Sequence, residues 1–367
     1  MVAPGKPIEV WDLPDPVLEP GAIVLETLAS EVCGTDVHLY HGRLAGVPYP
    51  IIPGHVSVGR VAEARGVTRD ALGEPLASGD VVTFYDVHEV CNNCWHCLVA
   101  RQPNRCPNRK VYGITYPAKD GLLGGWAERI YLKPGVRVFK LPESVTADDV
   151  IGGGCGLFTG YAAVERSTLA MGDTVLVQGA GPVGLGAIAF AALRGAALVI
   201  VIGAPAPRLE LAKGLGADVT MLLTDTVPRQ RAERVAELTG GRGVDVAIEA
   251  TGNPAAIPEG LDLLRAGGTY VIAGHYTDNG PVELNPHTDI NRKHADIRGQ
   301  WGTDFHHVVR ALRMLAKHRD RLPFAKVAGA RYGIRDAGRA LADVEALRVT
   351  KALIVPNGER GTGKGEG

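Results

Sequence analysis

Short apolar runs separated by polar clusters dominate the first part of the chain. The runs Ala22–Leu28, Val58–Ala64 and Asp80–Phe84 are broken by Gly, Pro and Asp residues, a pattern typical of β-strands joined by turns. The first pattern long enough for a helix is Val37–His41. The chain up to about residue 150 is therefore predicted to be β-rich.

A different sequence pattern begins at Ile151, where β-branched apolar runs alternate with segments of helical periodicity. This alternation predicts repeated βαβ units, and so an α/β fold with a doubly wound parallel sheet. Shorter elements return near the end of the chain. The predicted strands are Thr174–Gln178, Leu198–Ile202, Val219–Leu223, Val244–Glu249, Thr269–Ala273 and Ala352–Val355, and the predicted helices are Pro182–Arg194, Arg208–Leu215, Pro228–Thr239, Pro254–Leu264 and Asp304–His318.

Composition and charge narrow the class of protein. A chain of 367 residues suits two domains at roughly 150 residues per domain. With 39 basic and 40 acidic side chains, the chain has no excess of positive charge that would attract nucleic acid or an anionic membrane. Its N-terminus lacks the pattern of a secretory signal, which predicts a cytoplasmic protein with reduced thiols. The uncharged stretch Thr174–Leu193 is long enough to span a bilayer, but its central glycines predict a strand, a turn and a helix.

A dinucleotide site is predicted at Gly179-x-Gly181-x-x-Gly184, which follows an apolar strand and opens a helix. Glycines there allow a tight turn and a close approach of the backbone to a pyrophosphate, which the helix N-terminus attracts. The carboxylate that normally ends the second strand and binds the ribose is missing, because that strand runs into Gly203. No basic residue follows before Arg208, so NAD is favoured and NADP is allowed.

The six cysteines fall into two sets. Two of them, Cys33 and Cys155, each lie beside glycine, with Gly54-His55 between them in the sequence. Two thiolates and one imidazole make a three-ligand zinc set with an open fourth position, the pattern of a catalytic zinc. The other four thiols lie within sixteen residues, at a spacing that suits a closed structural zinc site: Cys91, Cys94, Cys97 and Cys106.

Together these motifs resemble those of the zinc-containing medium-chain alcohol dehydrogenases over roughly Val10 to Pro356. The resemblance implies a GroES-like β-rich catalytic domain over 1–154 and 301–357, and a Rossmann domain over 155–300 inserted into it. The active site would lie in the cleft between them. Separately, the composition of the tail, 358–367, which is rich in Gly and charged residues, predicts disorder. The shared segments, in order, are Cys33-Gly34-Thr35-Asp36-x-His38, Gly54-His55, the four-cysteine loop, Gly124-Gly125-Trp126-Ala127-Glu128, Gly154-Cys155-Gly156 and the Gly179 motif.

The resemblance implies two zinc ions per chain. Cys33, His55 and Cys155 would bind the catalytic zinc, and the four-cysteine loop would bind the structural one. One position departs from the family pattern: Val56 follows the ligand histidine, where the family usually carries Glu. In relatives that Glu can visit the zinc as substrate and water exchange, so its loss puts the exchange step in question.

A proton path is also implied by the resemblance. Thr35 would hydrogen-bond the substrate hydroxyl and pass its proton through the cofactor ribose towards His38. Asp36 would hold the His55 imidazole. The alternatives are that Thr35 and Asp36 cap the helix near Val37 and that His38 is a solvated helix residue.

The remaining predicted cofactor contacts lie at the ends of predicted strands. The backbone near Ile272-Ala273-Gly274 would, by resemblance, hold the nicotinamide carboxamide, and Lys351 would either reach a cofactor phosphate or be a surface lysine. The predicted cofactor residues are Gly179, Gly181, Pro182, Val183, Gly184, Gly203, Arg208, Thr251, Ala273, Gly274 and Lys351.

The predicted function is the reversible oxidation of a secondary or cyclic alcohol to a ketone or aldehyde, with hydride transfer to NAD(P). By analogy the protein is a homodimer or homotetramer acting on a small-molecule alcohol or ketone. The alternative is a polyol or threonine-type dehydrogenase of the same superfamily, because His88 resembles a histidine of threonine dehydrogenases. Outside the enzymes, the alternative is a zinc-ribbon regulatory protein with a degenerate Rossmann domain, for which the net charge of −1 gives no support.

Overall fold

The computed structural model describes residues 1–356. The chain forms two units, one built from Met1–Gly154 and the chain from Phe324 onward, the other from Cys155–Pro323. The return to the first unit was expected at residue 301 and lies later, because the helix predicted near 304–318 belongs to the second unit. The predicted tail, 358–367, lies outside the described residues.

The strands are β1 Ile23–Val32, β2 Ser57–Ala64, β3 Val81–Phe84, β4 Val87–His88, β5 Lys110–Val111, β6 Arg129–Leu132, β7 Val138–Lys140, β8 Thr174–Gln178, β9 Leu198–Gly203, β10 Val219–Leu222, β11 Val244–Glu249, β12 Leu264–Ile272, β13 Asp296–Gly299, β14 Ala330–Tyr332 and β15 Ala352–Ile354. The α-helices are α1 Gly34–Tyr40, α2 Trp95–Leu98, α3 Ala147–Arg166, α4 Pro182–Arg194, α5 Ala206–Gly214, α6 Pro228–Thr239, α7 Ala256–Leu263, α8 Phe305–Lys317 and α9 Ala337–Glu345.

The first unit is built on a sheet of order β14-β15-β1-β2-β3-β7, in which β6 also pairs with β1. All of these pairs are antiparallel except β14 with β15. Because β1 pairs with three strands, nearly all of its ten residues are buried. The end of β1 therefore carries its last side chains, Glu31 among them, into the interior.

The second unit is a parallel sheet of order β10-β9-β8-β11-β12-β13. The chain runs outward from β8 to β10 and then outward again from β11 to β13, so the strand order reverses between β8 and β11. Every residue of β8 and β11 is buried, as expected for central strands covered on both faces. The predicted fold class, a doubly wound sheet with a second β-rich unit, is confirmed.

Helix α3 is not among the predicted helices, because glycines cluster at its centre and glycine disfavours a helix interior. The twenty-residue helix is broken at Gly154, where φ is 53° and ψ is −144°. Only glycine adopts this backbone readily. The break coincides with the boundary between the two units, and it places Cys155 at the start of the helical segment that follows.

The uncharged stretch considered as a membrane span forms β8, the glycine turn and most of α4. Within residues 1–356, no helix combines the length and the apolar character that a bilayer crossing requires.

Candidate active site and metal centres

The four-cysteine loop forms a compact thiol cluster. The Sγ atoms of Cys94 and Cys97 are 3.5 Å apart, as are those of Cys91 and Cys106, and all four sulfurs lie within 4.8 Å of one another. Tetrahedral zinc with bonds of about 2.3 Å would hold its sulfurs about 3.8 Å apart. The donor set thus fits a closed zinc site, which would stabilise the loop and leave no open coordination position.

Replacing one ligand of this cluster should act on stability first. We expect Cys94→Ala to lose one zinc per chain and to lower the melting temperature, because binding free energy at a structural zinc is also folding free energy. Activity should fall only as the protein unfolds. Zinc analysis and thermal scans check this, and an unchanged zinc content in Cys94→Ala would contradict the assignment.

A second cluster joins residues that are far apart in the sequence. Ligand atoms of Glu31, Cys33, His55 and Cys155 all lie within 4.8 Å of one another. His55 Nε2 is 3.9 Å from Cys33 Sγ and 3.2 Å from Glu31 Oε1. The unit boundary runs between Gly154 and Cys155, so the backbone position of Cys155 follows from its peptide bond to the first unit. Three of these residues were predicted as zinc ligands, whereas Glu31 was not.

The cluster is electron-rich and fits a divalent cation. Bonds of about 2.0–2.3 Å at tetrahedral angles would separate the nitrogen and oxygen ligands by about 3.4 Å and the nitrogen and sulfur ligands by about 3.6 Å. The observed separations lie within a few tenths of an ångström of these values. Burial alone lowers the pKa of His55, but Cys33 and Glu31 beside it raise that pKa well above its usual value. The groups that favour a proton on the imidazole also favour a metal cation.

Helix α1 positions the first thiol. Cys33 is the N-cap residue, its Sγ accepts a hydrogen bond of 3.3 Å from the Thr35 backbone N–H, and Asp36 completes a capping box. Thr35 and His38 are three residues apart on this helix and share one of its faces. The expectation that Asp36 caps this helix agrees with the structure, although the helix begins at Gly34 rather than near Val37.

Asp36 is fully buried and accepts a 2.9 Å hydrogen bond from the Cys33 backbone N–H. Burial raises the pKa of its carboxyl, and the neighbouring Cys33 thiolate raises it further. Its other oxygen, Oδ1, and His55 Nδ1 are both buried without a hydrogen-bond partner among the described residues. The expected hydrogen bond between Asp36 and His55 is therefore not formed in this structure.

Lys351 differs from both of its expected placements. It is completely buried, so it is not a surface lysine. Its ammonium forms a very short ion pair with Glu31 Oε2. A Cβ at Gly154 would collide with both charged groups, so the pair packs directly against the backbone that leads into Cys155.

The dinucleotide motif lies at the carboxyl end of β8, where the strand order reverses. Gly179 has a φ of 107°, and a Cβ at Gly184 would overlap the Gly179 carbonyl. Gly181 is the N-cap of α4, with Pro182 and Val183 in the first turn. A Cβ at Gly181 would meet no protein atom within 4 Å, so this glycine faces the open space that a bound pyrophosphate needs.

The end of β9 carries no carboxylate. Gly203 is its last residue, and a Cβ there would press against Ala180 at 2.9 Å. Arg208, in the first turn of α5, is buried, and its burial lowers the pKa of the guanidinium.

Glu249 organises the loops beside the glycine turn, and sequence reasoning missed it. This fully buried carboxylate ends β11. Its Oε1 accepts hydrogen bonds from Thr251 N (2.6 Å), Thr251 Oγ1 (2.7 Å) and Gly252 N (2.7 Å), and its Oε2 accepts one from Gly274 N (3.1 Å). The backbone N–H of Ala273 donates to the Glu249 carbonyl. The predicted cofactor residues Thr251 and Gly274 are thus held by the Glu249 carboxylate, and Ala273 is held by the main chain of the same residue.

We expect Glu249→Gln to destabilise the fold by about 1–3 kcal/mol, because an amide cannot accept all four hydrogen bonds. The KM for the nicotinamide cofactor should rise with it. Chemical denaturation and steady-state kinetics measure the two effects. Glu237→Gln, on the exposed surface of α6, serves as the control and should change the free energy of unfolding by less than about 0.5 kcal/mol. Equal effects in both variants would count against the role of Glu249.

Two other histidine groups have partners of their own. The ring nitrogens of His88 lie 2.7 Å from Tyr116 Oη and 3.1 Å from the Pro134 carbonyl, so the structure gives this histidine a packing role. His306 and His307 both lie 3.1 Å from Glu165 Oε2. Because Arg310 pairs with the same carboxylate, we assign no metal to this group.

A chain that carries both a parallel sheet with a glycine turn at its switch point and a zinc-fitting cluster with an imidazole and thiols belongs to the class of dinucleotide-dependent metal dehydrogenases. Family models for the alcohol dehydrogenase GroES-like domain and the zinc-binding dehydrogenase match residues 19–143 and 182–317. The chain belongs to the zinc-containing medium-chain alcohol dehydrogenase family, whose enzymes use zinc and a nicotinamide cofactor.

Individual relatives support this membership. The chain is 34% identical over 351 residues to a 5-exo-hydroxycamphor dehydrogenase of Pseudomonas putida, covering 95% of each protein. It is 33% identical over 299 residues to an erythritol/L-threitol dehydrogenase of Mycolicibacterium smegmatis, covering 77% of each. The solved structure of an alcohol dehydrogenase from Thermotoga maritima matches with a TM-score of 0.88 and 35% identity, over 96% of this chain and 95% of that one.

Proposed function

We propose that this protein oxidises a cyclic secondary alcohol to the ketone, reversibly, with NAD as the favoured hydride acceptor. The observation that carries the proposal is the convergence of Cys33, His55 and Cys155, with Glu31, within 4.8 Å. A cyclic substrate is supported by the relative named for a hydroxylated camphor, which aligns over almost the whole chain. When bound, the zinc supplies a Lewis acid and the nicotinamide a hydride acceptor.

The protein's own side chains supply binding and proton transfer in this proposal. Thr35 is half-buried at the start of α1 and accepts the proton of the substrate hydroxyl as it passes its own onward. His38, on the same helix face, is the terminal acceptor. Partial burial lowers the pKa of His38, and Arg43 lowers it further, so the ring is neutral at pH 7 and ready to accept a proton.

Removing His38 should change the pH dependence of alcohol oxidation. As pH falls through the lowered pKa of His38, the ring becomes protonated and no longer accepts a proton, so the oxidation rate should fall below about pH 6.5. His38→Gln should lower kcat by about 10–100-fold near neutral pH and remove that limb of the profile. Profiles of kcat for both proteins test this. A wild-type limb retained in His38→Gln would show that another group titrates.

The substrate and cofactor are testable in one panel. Primary, secondary, cyclic and polyol alcohols and L-threonine are assayed with NAD and NADP through the absorbance of the reduced nicotinamide. We expect the highest kcat/KM for a cyclic secondary alcohol. The highest value for a polyol or threonine would favour the alternative within the family, and a preference for NADP above about a hundredfold would overturn the choice of NAD.

Two zinc ions per chain, a homodimeric or homotetrameric assembly and a cytoplasmic location complete the proposal. The two separate ligand clusters support the zinc count. Exposed apolar side chains on and beside α2, including Trp95, Leu98 and Val99, support association between copies. Metal analysis and light scattering test these points, and one zinc per chain would instead favour a zinc-ribbon binding protein.

A further inference from the structure

We infer that Glu31 is the fourth protein ligand of the metal bound by Cys33, His55 and Cys155, with Lys351 as the residue that positions it. The inference rests on the proposed metal centre and adds to it a ligand that the family pattern does not place at this position. It begins from the contact between Glu31 Oε1 and His55 Nε2, at 3.2 Å, inside the four-residue cluster.

This contact is explained by a cation. His55 Nε2 is the ring nitrogen that faces Cys33 Sγ as well as Glu31, so it is the nitrogen available to the metal. As a metal ligand it carries no proton and has none to donate to Glu31. A metal-bound imidazole and a carboxylate buried this closely need a positive charge between them, which a bound cation supplies.

When both thiols are ionised, as metal-bound thiols are, the cluster and Lys351 need a divalent cation for charge balance. Two thiolates and one carboxylate carry three negative charges, and the Lys351 ammonium supplies one positive charge. Glu31 and Lys351 are both completely buried, where an unbalanced charge is costly. A divalent cation brings the sum to zero.

The backbone places Glu31 next to the position where the family carries its carboxylate. The Glu31 N–H donates to the Val56 carbonyl at 3.1 Å, and Val56 directly follows the ligand His55 in the sequence. The Trp126 indole N–H donates to the Glu31 carbonyl at 2.9 Å. Residues 31 and 56 are therefore neighbours on adjacent backbone segments, and a carboxylate at either one is close to the same imidazole.

Lys351 makes this ligand displaceable. It pairs with Oε2, whereas Oε1 faces the cluster. Glu31 keeps its cation partner whether or not Oε1 ligates, so it can give up its place to a substrate oxygen without becoming an isolated buried charge. In this way Glu31 provides the exchange step that Val56 cannot.

Cobalt(II) is a suitable probe, because its visible absorption reports the ligand set and its affinity is measured by competition with a chelator. We expect Glu31→Gln to weaken cobalt binding at this site by about 10–100-fold and to shift the absorption bands. The double variant Glu31→Gln/Lys351→Met removes both buried charges and so protects folding. The double variant should bind cobalt as weakly as Glu31→Gln does. Glu31→Gln/Val56→Glu should recover at least about tenfold of the affinity.

The control is Glu259→Gln, which breaks a mostly buried pair with Arg231 in the second unit and should leave the cobalt spectrum and affinity unchanged. Wild-type affinity and spectrum in the Glu31→Gln/Lys351→Met variant would overturn the inference, because Glu31 would then be only the counter-ion of Lys351. If Glu31→Gln/Val56→Glu binds cobalt as weakly as Glu31→Gln, a carboxylate at position 56 cannot replace one at position 31, and that part of the inference is overturned. If the wild-type protein binds cobalt only at the four-cysteine loop, the proposed function fails as well.

Discussion

Replacing His55 by alanine is expected to eliminate alcohol oxidation while leaving a folded protein that still binds the nicotinamide cofactor. His55 is the imidazole of the cluster, and its Nε2 faces both a thiol and a carboxylate. A Lewis acid worth several kcal/mol of transition-state stabilisation is lost with its ligand set, so kcat/KM should fall by more than about 10³-fold. Cofactor fluorescence titration, circular dichroism and zinc analysis should show that the fold and the cofactor site remain.

The matched control is His88→Gln in the same unit. His88 is engaged at both ring nitrogens by Tyr116 and Pro134, so its loss should lower the melting temperature without removing zinc or activity. An inactive, zinc-loaded His88→Gln protein would instead support a threonine-type role for this histidine. Full activity of His55→Ala after exhaustive chelation would refute the assigned metal site.

The second large effect is expected at Gly181. A Cβ at this position meets no protein atom within 4 Å, and the backbone of Gly181, at φ −75° and ψ 177°, suits a β-branched residue. Gly181→Val should therefore fold normally. It should weaken cofactor binding by at least about a hundredfold, because the new side chain fills the space through which the backbone approaches a pyrophosphate. Isothermal titration with NAD and NADP measures this.

Two other glycines separate a loss of affinity from a loss of folding. A Cβ at Gly184 would overlap the Gly179 carbonyl, so Gly184→Ala should lower the free energy of unfolding by about 1–3 kcal/mol. Gly214, at the end of α5, also has open space around its Cα, and Gly214→Ala should leave cofactor affinity unchanged. The prediction for Gly181 fails if Gly181→Val binds the cofactor as tightly as Gly214→Ala does.

The second unit was the most predictable part of the fold. The predicted bounds of β8, α4, α6 and β11 agree with the structure, because their periodic apolar patterns are bounded by Gly and Pro. Helix α3 was missed because the reasons for its glycines lie far away in the chain. A Cβ at Gly152 would collide with the Phe324 carbonyl, and one at Gly154 would collide with Lys351. Sequence patterns report local constraints, and these contacts are not local.

The candidate site likewise contains residues that the sequence could predict and residues that it could not. The thiols and His55 were recognisable because Cys and His beside glycine are unusual residue types in a distinctive order. Glu31 was not recognisable, because a single acidic residue in a strand normally faces solvent. Its role depends on Lys351, which is 320 residues away in the sequence. Glu249 was missed for a related reason, because its role depends on hydrogen bonds from the N–H groups of separate loops.

The pairing of Glu31 with Lys351 also restricts how this site can evolve. A substitution that removes either charge alone leaves the other buried without a partner, at a cost of about 3–5 kcal/mol, which is a large part of the stability of a typical domain. Natural variation is therefore expected to change both positions together. A lineage with its acidic ligand at position 31 is thus committed to a buried base before its last strand.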